Sequence, residues 1–200
     1  MFRSTLFRAM AVAIAMLVSH PGNGGEAMTD PGITTYGTLN PAAPPQLGTF
    51  AFLVGKWSGT ARARNPDGTY TDYQFDWIGR YVLDGMAIAD EMRMAAAEGG
   101  TIQGMSLRYF DSASNSWTIE FFNFVRAFLR KQVNASVGAV TRDGNAITIS
   151  QTGPAGRPGR EIYTLVAADH FTYSLDNMKE DGQTWDEGLV TIDMKREEAP

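Results

Sequence analysis

The segment Phe50-Ala51-Phe52-Leu53-Val54-Gly55-Lys56-Trp57-Ser58-Gly59-Thr60 sets a short apolar stretch directly against a Gly-x-Trp-x-Gly motif. A tryptophan with a glycine two residues to either side suits a strand that starts at the closed end of a small barrel. The indole fills the floor, and the glycines let neighbouring backbone approach closely or bend. The preceding residues, 47–54, are suited to a helical turn that closes the bottom.

From Lys56 onward the chain has the rhythm of strands. Residues 69–83 place Tyr73, Phe75, Trp77, Gly79, Tyr81 and Leu83 at odd positions and Asp72, Gln74, Asp76 and Arg80 at even ones. That alternation predicts a half-buried strand with one apolar and one polar face. Asn65-Pro66-Asp67-Gly68 before it and Asp84-Gly85 after it are turn chemistry. The pattern recurs at 86–94, 101–111, 116–125, 129–141, 146–152, 161–167, 171–179 and 185–196, with short polar connections between. The sequence therefore predicts an all-β, up-and-down antiparallel barrel of about ten strands with a short N-terminal helical turn. A two-sheet sandwich is the competing arrangement.

The N-terminus has a different composition. Arg3 and Arg8 precede an uninterrupted apolar run at 9–18, and residues 19–27 are small, polar and broken by Pro21 and glycines. This order predicts a signal peptide over 1–27, cleaved near Ala27, and hence an exported protein, periplasmic or secreted. An uncleaved N-terminal anchor is the alternative. Residues 28–46, rich in Pro, Gly, Thr and Asn, read as an extended arm or linker, leaving 47–200 as one barrel domain. The full chain carries a net charge of −5 without a basic run, a poor basis for binding nucleic acid. It has no cysteine, so an exported form would rest on its core without disulfides.

Several motifs together resemble the calycin superfamily of lipocalin-like barrels, and within it the bacterial DUF1579 family of uncharacterised proteins. They are Phe52-Leu53-Val54-Gly55-Lys56-Trp57-Ser58-Gly59, Tyr81-Val82-Leu83-Asp84-Gly85, Asp90-Glu91, Leu107-Arg108-Tyr109-Phe110-Asp111 with Trp117, and Asp181-Gly182-Gln183-Thr184-Trp185. The resemblance covers about residues 47–196. It implies a barrel with an internal cavity for small apolar or amphipathic molecules, and no defined activity. It also implies a basic residue of the last strand, Lys195 or Arg196, over the Trp57 indole. Nitrobindin-like barrels share the Gly-x-Trp-x-Gly opening and bind haem through a late histidine. Here His170 falls in a turn-like stretch rather than on the final strand, so no cofactor, haem included, is expected.

The absences narrow the chemistry. Without cysteine there is no thiolate nucleophile, and beyond residue 27 a single histidine precludes a histidine-rich metal centre. The candidates that remain sit within strands. Asp90 interrupts an apolar run and shares a face with Ile88, Met92 and Met94; it is either a site carboxylate or a hydrogen-bond acceptor near a strand end. Arg108 could pair with Asp90, hold a ligand carboxylate, or lie on the surface opposite Tyr109. Glu120 and Asn123 are polar anchors in a cavity or, for Glu120, a solvated residue on the wall. Tyr73, Phe75, Trp77, Tyr81, Tyr109, Trp117, Phe121 and Tyr173 could line a pocket or fill a packed core. The leading expectation is a binding protein for a small apolar or amphipathic molecule. Its alternatives are an isomerase, cyclase or lyase that uses Asp90 for proton transfer, and an interaction module dimerising through the two-sided apolar strand at 121–124.

Overall fold

The computed structural model describes residues 36–125, 128–132, 139–152 and 156–198, and the side chains of 36–122, 139–152 and 156–197. The expected signal peptide and the arm up to residue 35 lie outside these residues. A 3-10 helix (Pro45–Leu53) leads into β1 (Gly55–Arg64), β2 (Tyr70–Val82), β3 (Ala87–Ala96), β4 (Thr101–Asp111), β5 (Ser116–Val125) and β6 (Phe128–Gln132). Then follow β7 (Ala139–Asp143), β8 (Ala146–Thr152), β9 (Pro158–Ala167), β10 (His170–Met178) and β11 (Trp185–Glu198). The single strand expected over 129–141 is two strands, β6 and β7, which brings the count among the described residues to eleven. Pro45 starts the helix two residues before the expected turn, consistent with proline's fitness for a first helical position.

All eleven strands form one antiparallel sheet in the order β6-β5-β4-β3-β2-β1-β11-β10-β9-β8-β7. Each hairpin pairs sequence neighbours, and among the described strands the one long-range pairing joins β1 to β11. The sheet curls until β5 meets β7 across its seam, giving a nearly closed up-and-down barrel rather than a sandwich. Three of the hairpins turn by one device. Asp67, Asp111 and Asp181 each accept backbone N–H bonds from residues two or three positions on, at 2.9–3.0 Å. These are Asx turns, in which a carboxylate replaces a backbone acceptor. At Asp181 the Thr184 hydroxyl and two backbone amides hold the carboxyl down to about 2.

The floor explains the opening motif. Leu47, Phe50 and Leu53 of the 3-10 helix are buried beneath Trp57, which is 1% exposed and donates its indole N–H to the Leu53 carbonyl at 3.1 Å. Arg196 of β11 lays its guanidinium 4.0 Å over the Trp57 ring. The same guanidinium donates to the carbonyls of Val54 and Phe52 at 2.6 and 2.9 Å, satisfying two acceptors at the helix end. Lys195, the other expected partner, is exposed. Glycine is required at Gly59 and Gly79, since a Cβ there would overlap the backbone carbonyls of Asp193 and Leu53. The described part of the arm continues along the same end: the Tyr36 carbonyl accepts from the Tyr81 amide at 2.8 Å, and Asn40 bonds the β2–β3 turn at Asp84 and Gly85.

Candidate functional site

Strand parity decides what faces the lumen above this floor. In β2 Phe75, Trp77 and Gly79 are buried while Gln74 and Asp76 are exposed. In β3 Ile88, Asp90 and Met94 point inward, and in β4 Ser106 and Arg108 do the same. Register sets Asp90 opposite Ser106 and Ile88 opposite Arg108, so Asp90 and Arg108 are diagonal neighbours on one inner face. They form an ion pair between Asp90 Oδ2 and Arg108 Nη1, with side chains 1% and 2% exposed. The Arg108 guanidinium lies 5.6 Å from the Phe50 ring centre and 6.0 Å from that of Trp77, and its Nη2 donates to the Tyr163 hydroxyl at 3.3 Å. A charge this deep persists only because a counter-charge accompanies it.

Above Arg108 is a cavity of about 520 Å3. Trp77, Met92, Met94, Ile119, Phe121, Leu175, Val190 and Ile192 make its apolar wall, while Ser106, Arg108, Gln151, Glu161, Tyr163 and Tyr173 bring polar groups to the same space. Asp90 does not line it and sits behind Arg108. A larger recess of about 940 Å3 shares Tyr173 and Ile192. It mixes inward Ala61 and Tyr73 with outward Arg62, Asp72 and Asp193, without the buried charge that marks the smaller space.

Glu161 is the cavity's own carboxyl. Enclosure by protein raises it above the ordinary 4.5, against the opposing pull of Arg108 and of the hydrogen bond from Tyr173. Burial likewise pushes the Tyr163 phenol up to about 12 and Tyr173 well above its usual value, with Glu161 adding to both. The folded state thus binds the Glu161 proton more tightly than the unfolded chain does. Stability from this group is complete below pH 4.5 and is lost as pH rises through its raised value. Glu161→Gln is expected to abolish that loss: urea denaturation across a pH series should show the wild type losing stability relative to the variant above pH 4.5.

The sequence candidates distribute unevenly. Trp77, Arg108 and Tyr173 line the cavity, and Asp90 supports Arg108 from behind. Phe75 and Trp117 are packed core; the Trp117 ring lies 4.9 Å from Phe50, in the floor. Tyr73 lines the larger recess, and half-buried Tyr81 packs beside the arm. Tyr109 is corrected: it is 37% exposed on the outer wall, because Arg108 and Phe110 on either side of it face inward. Glu120 also faces outward, between Ile119 and Phe121, and half-buried Phe122 shares its parity. The side chain of Asn123 lies outside the described residues, as does that of Phe124 in the expected dimer face. His170 is the first residue of β10 rather than part of a turn, and its Nε2 lies 3.0 Å from Asp193 Oδ1, away from the cavity.

Glu161 and Tyr163 were not anticipated as site residues. The alternation Glu161-Ile162-Tyr163-Thr164-Leu165 carried the signal, placing Glu161 on one face with Tyr163 and Leu165. Among the described residues no group of three His, Asp or Glu side chains converges to hold a metal ion.

Residues 46–196 match the family described as "Protein of unknown function (DUF1579)". No curated protein matches the chain. Among solved structures, Rv2717c from M. tuberculosis is similar at 14% identity, covering 78% of this chain and 99% of that one, with a TM-score of 0.49. The S-type phycobiliprotein lyase CPES from Guillardia theta is similar at 10% identity, covering 76% and 93%, with a TM-score of 0.46. EF1p2_mFAP2b bound to DFHBI is similar at 13% identity, covering 73% and 94%, with a TM-score of 0.37.

Proposed function

We propose that this chain, which belongs to the DUF1579 family, is an exported protein that holds a small apolar or amphipathic molecule inside its barrel. The observation that carries the reading is one cavity wall. Arg108, Glu161, Tyr163 and Tyr173 converge there on a space whose remaining surface is aromatic and aliphatic. Small-molecule sites are typically apolar recesses of roughly 300–1,000 Å3 with a few placed polar groups, and 520 Å3 falls within that range. Export rests on the order of residues 1–27 and is tested by fractionation, with the mass of the exported chain expected to start near residue 28.

The binding test is a titration with Nile red, a neutral apolar dye that brightens in a dry site. Saturable binding is expected at one site per chain. Leu175→Trp, which fills the cavity from its wall, should weaken binding by about tenfold or more, since overpacked space has no low-cost relief. Absence of saturable binding, with Nile red and with chemically varied ligands, would sink the reading.

One observation favours a second reading, a small-molecule isomerase, cyclase or lyase. Glu161 is a cavity carboxyl with a raised proton affinity, bonded to a phenol, which is how a proton donor is commonly prepared. It takes the place expected for Asp90, whose charge is engaged by Arg108. One positioned acid or base supplies roughly 10²–10⁴-fold in rate. Full turnover of a confirmed substrate by Glu161→Gln would remove it from this mechanism.

A further inference from the structure

We infer that the cavity is built for uncharged amphiphiles bearing a hydrogen-bond acceptor, such as an alcohol, ester or ketone, and that Asp90 sets this charge preference. The inference rests on the binding function proposed above and adds the chemical class of the ligand. An arginine in an apolar cavity ordinarily marks a site for a carboxylate or phosphate. Here the counter-charge is already in the protein. Asp90 and Arg108 are both almost wholly buried, paired through Oδ2 and Nη1, and only Arg108 reaches the cavity. An entering carboxylate would lose its hydration to meet a cation that Asp90 has neutralised. The cost of an incompletely compensated buried charge then falls on the ligand.

The cavity still offers donors. Arg108 Nε and the Trp77 indole N–H have no hydrogen-bond partner among the described residues, and both side chains line the space. A buried donor without an acceptor is costly, and a ligand oxygen that reached either one would remove that cost without bringing in charge. The other titratable groups on the wall are Glu161, Tyr163 and Tyr173, and burial favours the neutral form of each. Ionisation of any of them would only add negative charge, so none creates a place for an anion.

The experiment uses three molecules that share a tail: dodecanol, dodecanoate and dodecylamine, each displacing Nile red from the wild-type protein at neutral pH. Dodecanol is expected to bind about tenfold or more tightly than dodecanoate and more tightly than dodecylamine, a preference set by desolvation of the charged head. In Asp90→Asn, Arg108 loses its partner and should recruit an anion. The dodecanoate-to-dodecanol affinity ratio should then rise by about tenfold or more. Dodecanoate or dodecylamine binding the wild type as well as dodecanol overturns the inference while leaving the binding function intact. An unchanged ratio in folded Asp90→Asn overturns the role of Asp90. Failure of Nile red and all three molecules to bind overturns the binding function, and this inference with it. The wild-type comparison stands even where Asp90→Asn does not fold.

Discussion

Replacing Arg108 by methionine is expected to lower the stability of the barrel by about 3–5 kcal/mol, the usual cost of removing one partner from a buried ion pair. The loss comes mainly from what is left behind. Asp90 is 1% exposed, and its carboxylate would stay buried with no cation beside it. The Tyr163 hydroxyl would lose a donor at the same time. Methionine fills much of the volume that arginine occupied, so cavity formation contributes little, and the measured change reports the stranded charge. Asp90→Leu combined with Arg108→Met removes both charges and should recover most of the loss, because an apolar pair of similar volume is often as stable as a buried ion pair. Urea denaturation of the two single variants and the double variant measures the coupling directly. A single-variant loss below about 1 kcal/mol, the range of surface pairs, would mean that water reaches this pair.

Trp57→Ala is expected to cost about 3–5 kcal/mol, as for other large aromatic side chains removed from a core. Three contacts go together. The ring meets Phe171 edge-on with centroids 4.8 Å apart, it lies beneath the Arg196 guanidinium, and its N–H satisfies the Leu53 carbonyl. Arg196 loses its aromatic seat, and burial already makes its proton easier to lose than an ordinary arginine's. Trp57→Phe keeps a ring in place and loses the indole N–H bond and part of the cation–π attraction, for about 1–2 kcal/mol. Thermal and urea unfolding of the two variants should therefore fall in that order. Equal losses for Ala and Phe would show that the N–H bond, rather than the ring, holds the floor.

The architecture was largely legible because a barrel wall writes a two-residue period into its sequence. The odd positions of 73–81 and the shared face of Ile88, Asp90, Met92 and Met94 are the inner wall of the structure. The same parity rule was strict enough to misplace residues chosen by type alone. Tyr109 suits a pocket by type, but Arg108 and Tyr109 cannot share a face, and the sequence leaves open which of them points inward. Glu161 opens the strand expected over 161–167, where an acid by type alone resembles a solvated cap. Only its register with Tyr163 places it inside. The strand expected over 129–141 hides its division for a related reason: in the sequence, alternation continues through the stretch between β6 and β7. Whether Asp90 or Glu161 met the lumen depended on depth behind Arg108, a distance across the sheet that no spacing along the chain records.

The clasp at the base has a consequence for how such a molecule comes into being. Arg196 reaches back to Val54 across 142 residues, and among the described strands the pairing of β1 with β11 is the only one that is not between neighbours in the chain. During synthesis β1 waits with one edge unsatisfied until β11 has been made, while the hairpins between them assemble locally. Closure is therefore a late step that carries the loop-entropy cost of the longest separation in the sheet, and it is expected to limit the folding rate. A truncation that removes β11 would take the latch with it and leave an open ribbon prone to finding its missing edge on another molecule.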